Sequence, residues 1–314
     1  MRAWVLLVWA GLGLVACGPF DDDSGYAPQW EGTLVHYRTP TGTAMGLYSA
    51  GGLSPSLPGL EGSLQATVYQ GRVWVLRPGV VSEVDPGTGE IVRDWPVSSG
   101  VGYLASGPDH LALLDTLAQA LLLATPGSAG LSINAIDVGF VPRAVALQAG
   151  KWVVVGTGEL RFVDSEVQRL RSGLPLDATQ VLQLDPTPSA ALLQGMANGQ
   201  RQEWRINALA EELGTPAAAT YTQRFYSPFL RADFGTEYTQ TVTLASGQVA
   251  VLPFGATQTV QRTASSIAFD FTGSQLLYTV TDSLWVYDLT QGAETNLGSF
   301  SGTLLAAYPV YRYP

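Results

Sequence analysis

Histidine is the side chain most often used for acid–base catalysis near neutral pH, and this chain has two of them, His36 and His110. A Ser-His-Asp triad would have to use one of the two. No Gly-x-Ser-x-Gly pentapeptide occurs in the chain to supply its nucleophile. His36 lies in an alternating segment and His110 begins an apolar run. Both patterns favour a structural role, so no catalytic residue is predicted.

Metal and phosphate sites of the common kinds are also missing from the sequence. Two distant histidines and a single cysteine cannot form the usual tetrahedral zinc site. The GTG segments at 87–89 and 156–158 complete neither a dinucleotide fingerprint nor a P-loop, and they are typical of strand turns. We therefore predict no metal site and no cofactor.

The single cysteine, Cys17, has a different chemistry. Met1 and Arg2 precede an apolar run at residues 3–15, and the sequence LVAC then ends at residue 17. The run is shorter than the roughly 20 residues that a transmembrane helix needs, and it is typical of a signal peptide. The LVAC sequence resembles the lipobox of bacterial lipoproteins.

That resemblance implies cleavage before Cys17, with residues 1–16 as the signal peptide and a diacylglycerol on the cysteine thiol. Residues 17–30 are acidic and contain Gly and Pro, which is typical of a flexible tether. Gly18 follows the cysteine where an aspartate would direct retention in the inner membrane. By the family's sorting rule, the protein is expected to be exported and anchored to the outer membrane of a diderm host.

The overall composition limits the possible partners. The formal net charge is −10 and only 13% of residues are charged. A chain of this sign repels phosphate backbones, which disfavours nucleic acid as a partner. Clusters of Lys and Arg that would attract anionic lipid are absent from the sequence. The lipid on Cys17 is therefore the expected membrane contact.

A repeat of about forty residues indicates the architecture, because this is the length of a propeller blade with several short strands. A turn residue, a polar residue and an apolar run recur, most clearly as GRVWVL from residue 71 and GKWVVV from residue 150. Six copies begin 36 to 47 residues apart, at 71, 107, 150, 188, 235 and 273. The pattern resembles the broad β-propeller repeat superfamily, including YVTN-type and quinoprotein-type repeats.

Four strands can be traced within the clearest copies. They are predicted at 64–70, 72–77, 80–85 and 90–97 in one copy, and at 266–271, 275–280, 284–289 and 294–300 in the last. Strands near 35–50 and 303–313 would complete a further blade from both ends of the chain. We therefore predict an all-β fold: a single propeller over 31–314, with seven blades of four antiparallel strands and six or eight as alternatives.

Two other β architectures fit less well. A pair of β-sandwiches would match the strand content but not the period. Membrane-spanning strands need runs of about 9–11 residues, longer than most runs here.

One segment has the composition of a binding surface. Residues 221–234 contain five aromatic residues and two arginines, residue types that are enriched at protein interfaces. The alternative is that the rings fill the core between blades. The candidate partner-binding residues are Phe225, Tyr226, Phe229, Arg224 and Arg231.

The predicted function is binding rather than catalysis. We expect a lipid-anchored propeller that binds another envelope or surface protein or an extracellular ligand. The alternative is a propeller hydrolase or lactonase, in which carboxylates at the mouth of the channel act with or without calcium. Eight aspartates lie near turns or strand ends, where this residue commonly caps a turn: Asp85, Asp115, Asp137, Asp164, Asp185, Asp233, Asp270 and Asp288.

Overall fold

The computed structural model describes residues 29–49, 52–85, 87–186, 190–219, 223–226, 231–234, 242–244, 247–252, 258–260, 262, 264–269, 275–288 and 291–312. Between 223 and 260 it describes the course of the strands and not their side chains. Throughout this described part the chain forms strands, turns and irregular segments. It contains no helix long and apolar enough to cross a bilayer.

The described residues form thirty strands. In chain order they are β1 (Gln29–Thr39), β2 (Gly42–Ser49), β3 (Gly52–Ser54), β4 (Gln65–Tyr69), β5 (Arg72–Arg77), β6 (Val80–Val84), β7 (Ile91–Pro96), β8 (Val101–Ser106), β9 (Leu111–Asp115), β10 (Ala120–Pro126), β11 (Leu131–Asp137), β12 (Pro142–Gln148), β13 (Lys151–Gly156), β14 (Glu159–Asp164), β15 (Arg169–Pro175), β16 (Gln180–Pro186), β17 (Ala191–Ala197), β18 (Gln200–Asn207), β19 (Glu212–Leu213), β20 (Ala217–Ala218), β21 (Gln223–Tyr226), β22 (Arg231–Phe234), β23 (Val242–Leu244), β24 (Gly247–Leu252), β25 (Gln258–Val260), β26 (Ser266–Phe269), β27 (Gln275–Val280), β28 (Ser283–Asp288), β29 (Ala293–Ser299) and β30 (Thr303–Arg312).

These strands form seven sheets in the described part of the chain. The first sheet has the order β3-β2-β1-β30, and the second to fourth are β4 to β7, β8 to β11 and β12 to β15. The fifth is β16 to β19 with β20 also beside β18, the sixth is β21-β22-β24-β23-β25, and the seventh is β26 to β29. The predicted all-β propeller is confirmed.

Five sheets have the predicted four strands and two have five. In the fifth sheet the outer strand is split, because β19 and β20 pair with different ends of β18. Gly214 and Pro216 lie between them, and proline cannot donate to a ladder. In the sixth sheet β23 pairs with β25 in parallel, which adds a fifth strand.

The first sheet combines both ends of the described chain, as predicted. β1 pairs with β2 on one side and with β30 on the other, both antiparallel. The register places Gln29 opposite Arg312 and Arg38 opposite Thr303. Both edges of β1 are therefore hydrogen-bonded to a neighbouring strand.

The core lies between neighbouring sheets. Second strands are almost wholly buried, as in β9 and β13, whereas fourth strands such as β11 and β15 are mostly exposed. The apolar clusters span adjacent sheets, and Trp152 and Trp204 are among their largest fully buried side chains. Each sheet hides its apolar faces only by packing against the next, which explains the continuous apolar runs in the repeat.

The first strands of the sheets surround the centre of the ring. β4 contacts β8, β12 contacts both β8 and β16, β21 contacts β16 and β26, and β26 contacts β30. Neighbouring first strands run in the same direction. The Gln65 side chain contacts Leu104, and further along the strands the Tyr69 hydroxyl contacts Asp109.

This common direction defines two faces. Because strands within a sheet alternate in direction, the loops between second and third strands share one face with the connections that lead into each first strand. We call this the upper face. The loops between first and second strands and between third and fourth strands lie on the opposite face. Gln29 and Arg312 also lie there, and we call it the terminal face.

Candidate binding site at the central channel

The predicted partner-binding residues fall in the part of the chain that the structure describes least. Arg224, Phe225 and Tyr226 lie in β21 and Arg231 lies in β22, where Tyr226 pairs with Arg231. Phe229 is outside the described residues, as is the predicted lipid-attachment residue Cys17. Since β21 is a first strand between β16 and β26, the backbone of this segment borders the ring centre.

Aspartates at strand ends mostly act as turn caps, as predicted. Five of the eight accept hydrogen bonds from backbone N–H groups two or three residues ahead: Asp85, Asp115, Asp137, Asp164 and Asp288. The N–H of Val167 and then the Arg171 guanidinium lower the pKa of Asp164. These carboxylates are held by their own loops. The side chain of Asp233 and all of Asp270 are outside the described residues.

Both histidines make contacts that fit a structural role. His36 is buried and its Nε2 lies 3.2 Å from the Ser63 carbonyl oxygen. Burial lowers the pKa of His36, which keeps the ring neutral. The Gln168 amide donates to His110 Nε2 at 2.9 Å, and Gln168 Oε1 accepts from Asn134 at 2.6 Å. This second contact joins the third and fourth sheets.

Residues from four sheets meet near the ring centre. We call this set the channel cluster: Gln65, Tyr103, Gln183, Asp185 and Tyr308. All five lie on strands next to the channel, namely β4, β8, β16 and β30. Tyr103 belongs to the third sheet, yet it lies close enough to Asp185 of the fifth for that charge to raise the pKa of Tyr103, and close enough to Tyr308 of the first to raise the pKa of Tyr308. A side chain can approach both of those sheets only across the channel.

Polar groups of neighbouring sheets surround the tyrosine rings. Gln65 Oε1 accepts from the Leu104 N–H at 2.7 Å, and the Gln65 side chain lies near enough to the Tyr103 hydroxyl to act on its pKa. The Ala66 backbone acts on the pKa of the Tyr308 hydroxyl in the same way. Gln183 donates to Asp185 at 2.9 Å. A similar bond joins the seventh and first sheets, where a side-chain oxygen again accepts from a backbone N–H of the next sheet. Here the Ser266 hydroxyl accepts from the Leu304 N–H at 3.0 Å.

The environment keeps both phenols neutral. Burial, with a contribution from the Asp185 charge, raises the pKa of Tyr103 to about 12. Burial and the neighbouring Tyr103 also raise the pKa of Tyr308. Both side chains nevertheless retain some exposed surface. Strong desolvation with retained exposure is the combination expected of groups that line a narrow channel within the ring.

β-Bulges aim these side chains. The pairing shifts by one residue near the start of four of the strands that border the channel. The extra residues are Gly102, Arg143, Leu182 and Leu305. A bulge twists its strand and turns the following side chain. The bulge at Gly102 directly precedes Tyr103, so the repeat that builds the sheets also directs the ring into the channel.

The chemistry available in this cluster is hydrogen bonding and aromatic contact. Asp185 is its single carboxylate. In the described part of the chain, no group of three or more His, Cys, Asp or Glu side chains is placed to hold a metal ion. No pattern in the sequence marks this cluster, because its members lie on strands far apart in the chain.

The upper face around the channel carries exposed aliphatic side chains. Leu117, in the loop between β9 and β10, is 75% exposed. Leu64, Val141 and Leu182 lie at or near the starts of β4, β12 and β16 and are also exposed. Together they lie on four consecutive sheets, the second to the fifth.

No family of known sequences and no curated protein matches the chain. Solved structures do match its fold. A Bacteroides fragilis protein named as a candidate 6-phosphogluconolactonase is 12% identical with a TM-score of 0.54, over 92% of this chain and all of that one. The WD40 domain of Neurospora crassa Pan2 is 9% identical with a TM-score of 0.54, over 78% and 81%.

Hydrazine synthase of Kuenenia stuttgartiensis is 13% identical with a TM-score of 0.53, over 73% of this chain and 77% of that one. At these identities the likeness concerns architecture alone. The matched structures include both enzymes and a WD40 domain. The chain therefore has a β-propeller fold.

Proposed function

We propose that this protein is a lipoprotein, anchored to the outer membrane through Cys17, whose propeller binds another protein of the cell envelope. The observation that carries the binding function is the channel cluster. Its tyrosines and glutamines come from four different sheets, and the surrounding upper face bears exposed aliphatic side chains. A channel lined by aromatic and polar side chains, with an apolar rim, suits recognition of a protein surface.

The rigidity of the ring supports this proposal. Bonds between neighbouring sheets occur at several depths, including Thr67 Oγ1 to Ser106 Oγ at 2.8 Å and the Tyr69 hydroxyl to the Asp109 carbonyl at 2.8 Å. A partner that binds such a surface does not have to order it first, so less affinity is lost to conformational entropy.

The hydrolase alternative requires carboxylates that converge on the channel, and the channel cluster contributes only Asp185. Thermal unfolding with and without calcium tests it directly. A calcium-dependent rise in Tm, or turnover of a lactone substrate by the purified protein, would favour the enzyme over the binding module.

Affinity purification from native membranes, followed by identification of co-purifying proteins, tests the binding function. We expect a specific envelope protein to co-purify with the wild-type chain. A Cys17→Ser variant should leave the membrane fraction, because it lacks the thiol that accepts the lipid. Retention of this variant on the membrane would contradict the anchor.

The candidate residues in the sixth sheet give a sharper test. If the partner contacts these rings, replacing Phe225, Tyr226 and Phe229 together by Ser leaves the thermal transition in place and weakens partner binding by about tenfold or more, as for interface hot spots. Unchanged binding in this variant would leave the upper face as the contact surface. Loss of the cooperative transition instead would show that these rings belong to the core between sheets.

A further inference from the structure

We infer that the upper face is the partner-binding surface and that the anchor holds it away from the membrane. This inference rests on the proposed lipid anchor and binding function. It commits to one kind of occupant, a protein surface that presents apolar side chains together with carboxylates.

The direction of β1 determines where the anchor leaves the disc. Gln29 lies opposite Arg312 on the terminal face, and β1 then runs across the sheet to Thr39 on the upper face. A tether that joins Cys17 to Gln29 therefore leaves from the terminal face.

Lengths show which face can reach the lipid. The eleven residues 18–28 can extend at most about 40 Å, at about 3.6 Å per residue. β1 has 11 residues and spans about 35 Å between the two faces, at about 3.4 Å per residue. To lay the upper face on the bilayer, the tether would have to run back past the whole depth of the disc, which uses nearly all of its reach. The terminal face can approach the lipid with the tether relaxed.

The exposed aliphatic side chains of the upper face are held in place. Asp115 Oδ1 accepts from the N–H groups of Leu117 at 2.9 Å and Ala118 at 3.0 Å, which fixes the loop between β9 and β10. The Thr116 N–H and hydroxyl both donate to the Gly100 carbonyl, at 2.9 and 3.0 Å. Leu117 is therefore presented to solvent by an ordered loop. With Leu64, Val141 and Leu182 it gives the upper face a set of exposed aliphatic side chains around the channel, rather than a single one.

Charge adds specificity on the same face. Arg143 is the extra residue of the bulge in β12, is exposed, and follows Val141 by two positions. β12 lies between β8 and β16, so the cation is flanked by the sheets that carry Leu117 and Leu182. A partner surface with apolar side chains and a carboxylate complements this arrangement.

The terminal face provides a matched control. Leu209 is 73% exposed, nearly the same as Leu117, and lies in the loop between β18 and β19. The two leucines have the same chemistry and exposure but lie on opposite faces. Any difference between them reports on the face rather than on the residue.

The first experiment measures orientation without a partner. The chain has one cysteine, which the lipid occupies, so Leu117→Cys and Leu209→Cys each introduce a single site for a fluorescent label. Each full-length lipidated variant is placed in vesicles of phosphatidylethanolamine and phosphatidylglycerol that carry an acceptor dye on the headgroups. We expect stronger energy transfer from position 209 than from 117. Equal transfer, or stronger transfer from 117, would overturn the orientation.

The second experiment locates the partner. The envelope protein captured by the wild type is purified, and its Kd for Leu117→Asp and Leu209→Asp is measured. We expect Leu117→Asp to weaken binding about tenfold and Leu209→Asp to leave it within about twofold. If only Leu209→Asp weakens binding, the assignment of the face is wrong while the binding function stands. If the wild type captures no envelope protein, the proposed function itself fails.

Discussion

At the scale of single residues, Tyr103 shows how the ring makes an environment that its own strand does not supply. The strand brings the phenol to the channel, but Gln65, Asp185 and Tyr308 come from three other sheets. Burial stabilises the neutral phenol relative to the phenolate, and the Asp185 charge acts in the same direction. Stability should therefore respond to pH through this residue.

The sign of that response follows from the two states. The pKa of Tyr103 is about 12 in the folded protein, above the ordinary value of 10.0. The unfolded chain therefore loses the phenolic proton at a lower pH than the folded protein does. The stabilising contribution of the neutral Tyr103 phenol is complete below pH 10 and is lost as the pH rises towards 12. When urea unfolding is measured from pH 8 to 11.5, we expect the free energy of unfolding to decline above pH 10. The decline should be smaller in the Tyr103→Phe variant. An identical decline in wild type and variant would contradict this environment for Tyr103.

At the scale of elements, the loop between β9 and β10 depends on a glycine. A Cβ at Gly100 would collide with Asp115 Oδ1 and come within 2.8 Å of the Leu117 side chain. A Cβ at Gly102, two residues later, would meet nothing within 4 Å. Neither glycine has a positive φ, so the comparison isolates the contact.

We expect Gly100→Ala to destabilise the protein by about 1–3 kcal/mol, because the Asp115 cap must move to make room. Gly102→Ala should stay within about 0.5 kcal/mol of wild type. Urea unfolding measures both changes. Equal stabilities for the two variants would show that the loop does not depend on close contact at Gly100.

The repeat predicted most of the elements because turn residues and apolar runs mark strands directly. The strands predicted at 72–77 and 275–280 are those observed as β5 and β27. The neighbours of β5 are shorter than predicted by one or two residues, and β28 and β29 begin and end one residue earlier than predicted. Terminal residues depend on turns as well as on side-chain pattern. The copy placed at residue 235 lies almost wholly outside the described residues, which end at Phe234 and resume at Val242. The split outer strand of the fifth sheet could be recognised only with its partner β18 in view.

The channel cluster lay beyond what the sequence could predict. Tyr103 and Tyr308 come together only when the first and third sheets are placed around a common centre. The bulges that aim side chains into the channel depend on pairing rather than on composition. By contrast, the roles of the turn aspartates followed from residue type and position, and five of them are observed as caps.

At the scale of the whole molecule, the first sheet joins the two ends of the described chain. β30 supplies one neighbour of β1 and contacts β26 of the seventh sheet. Removing it would expose an edge of β1 and separate the first and seventh sheets. Exposed edges of this kind pair with other chains.

We expect a chain that lacks residues 303–314 to lose cooperative unfolding and to aggregate. A chain that lacks only residues 313–314 keeps every described strand pair and should behave as wild type. Circular dichroism during heating and size-exclusion chromatography measure both. A monomeric, cooperatively folding product of the longer deletion would show that the first sheet is complete without β30.

The double pairing of β1 has a mechanical consequence for the proposed lipid tether. Tension that arrives through the tether enters β1 at Gln29 and runs along the strand, parallel to the ladders with β2 and β30. These ladders must yield together in shear, whereas a load across a sheet edge would open one bond at a time. A load on the proposed lipid anchor would thus be spread at once over two rows of hydrogen bonds, and the sheet would resist unfolding from its first strand.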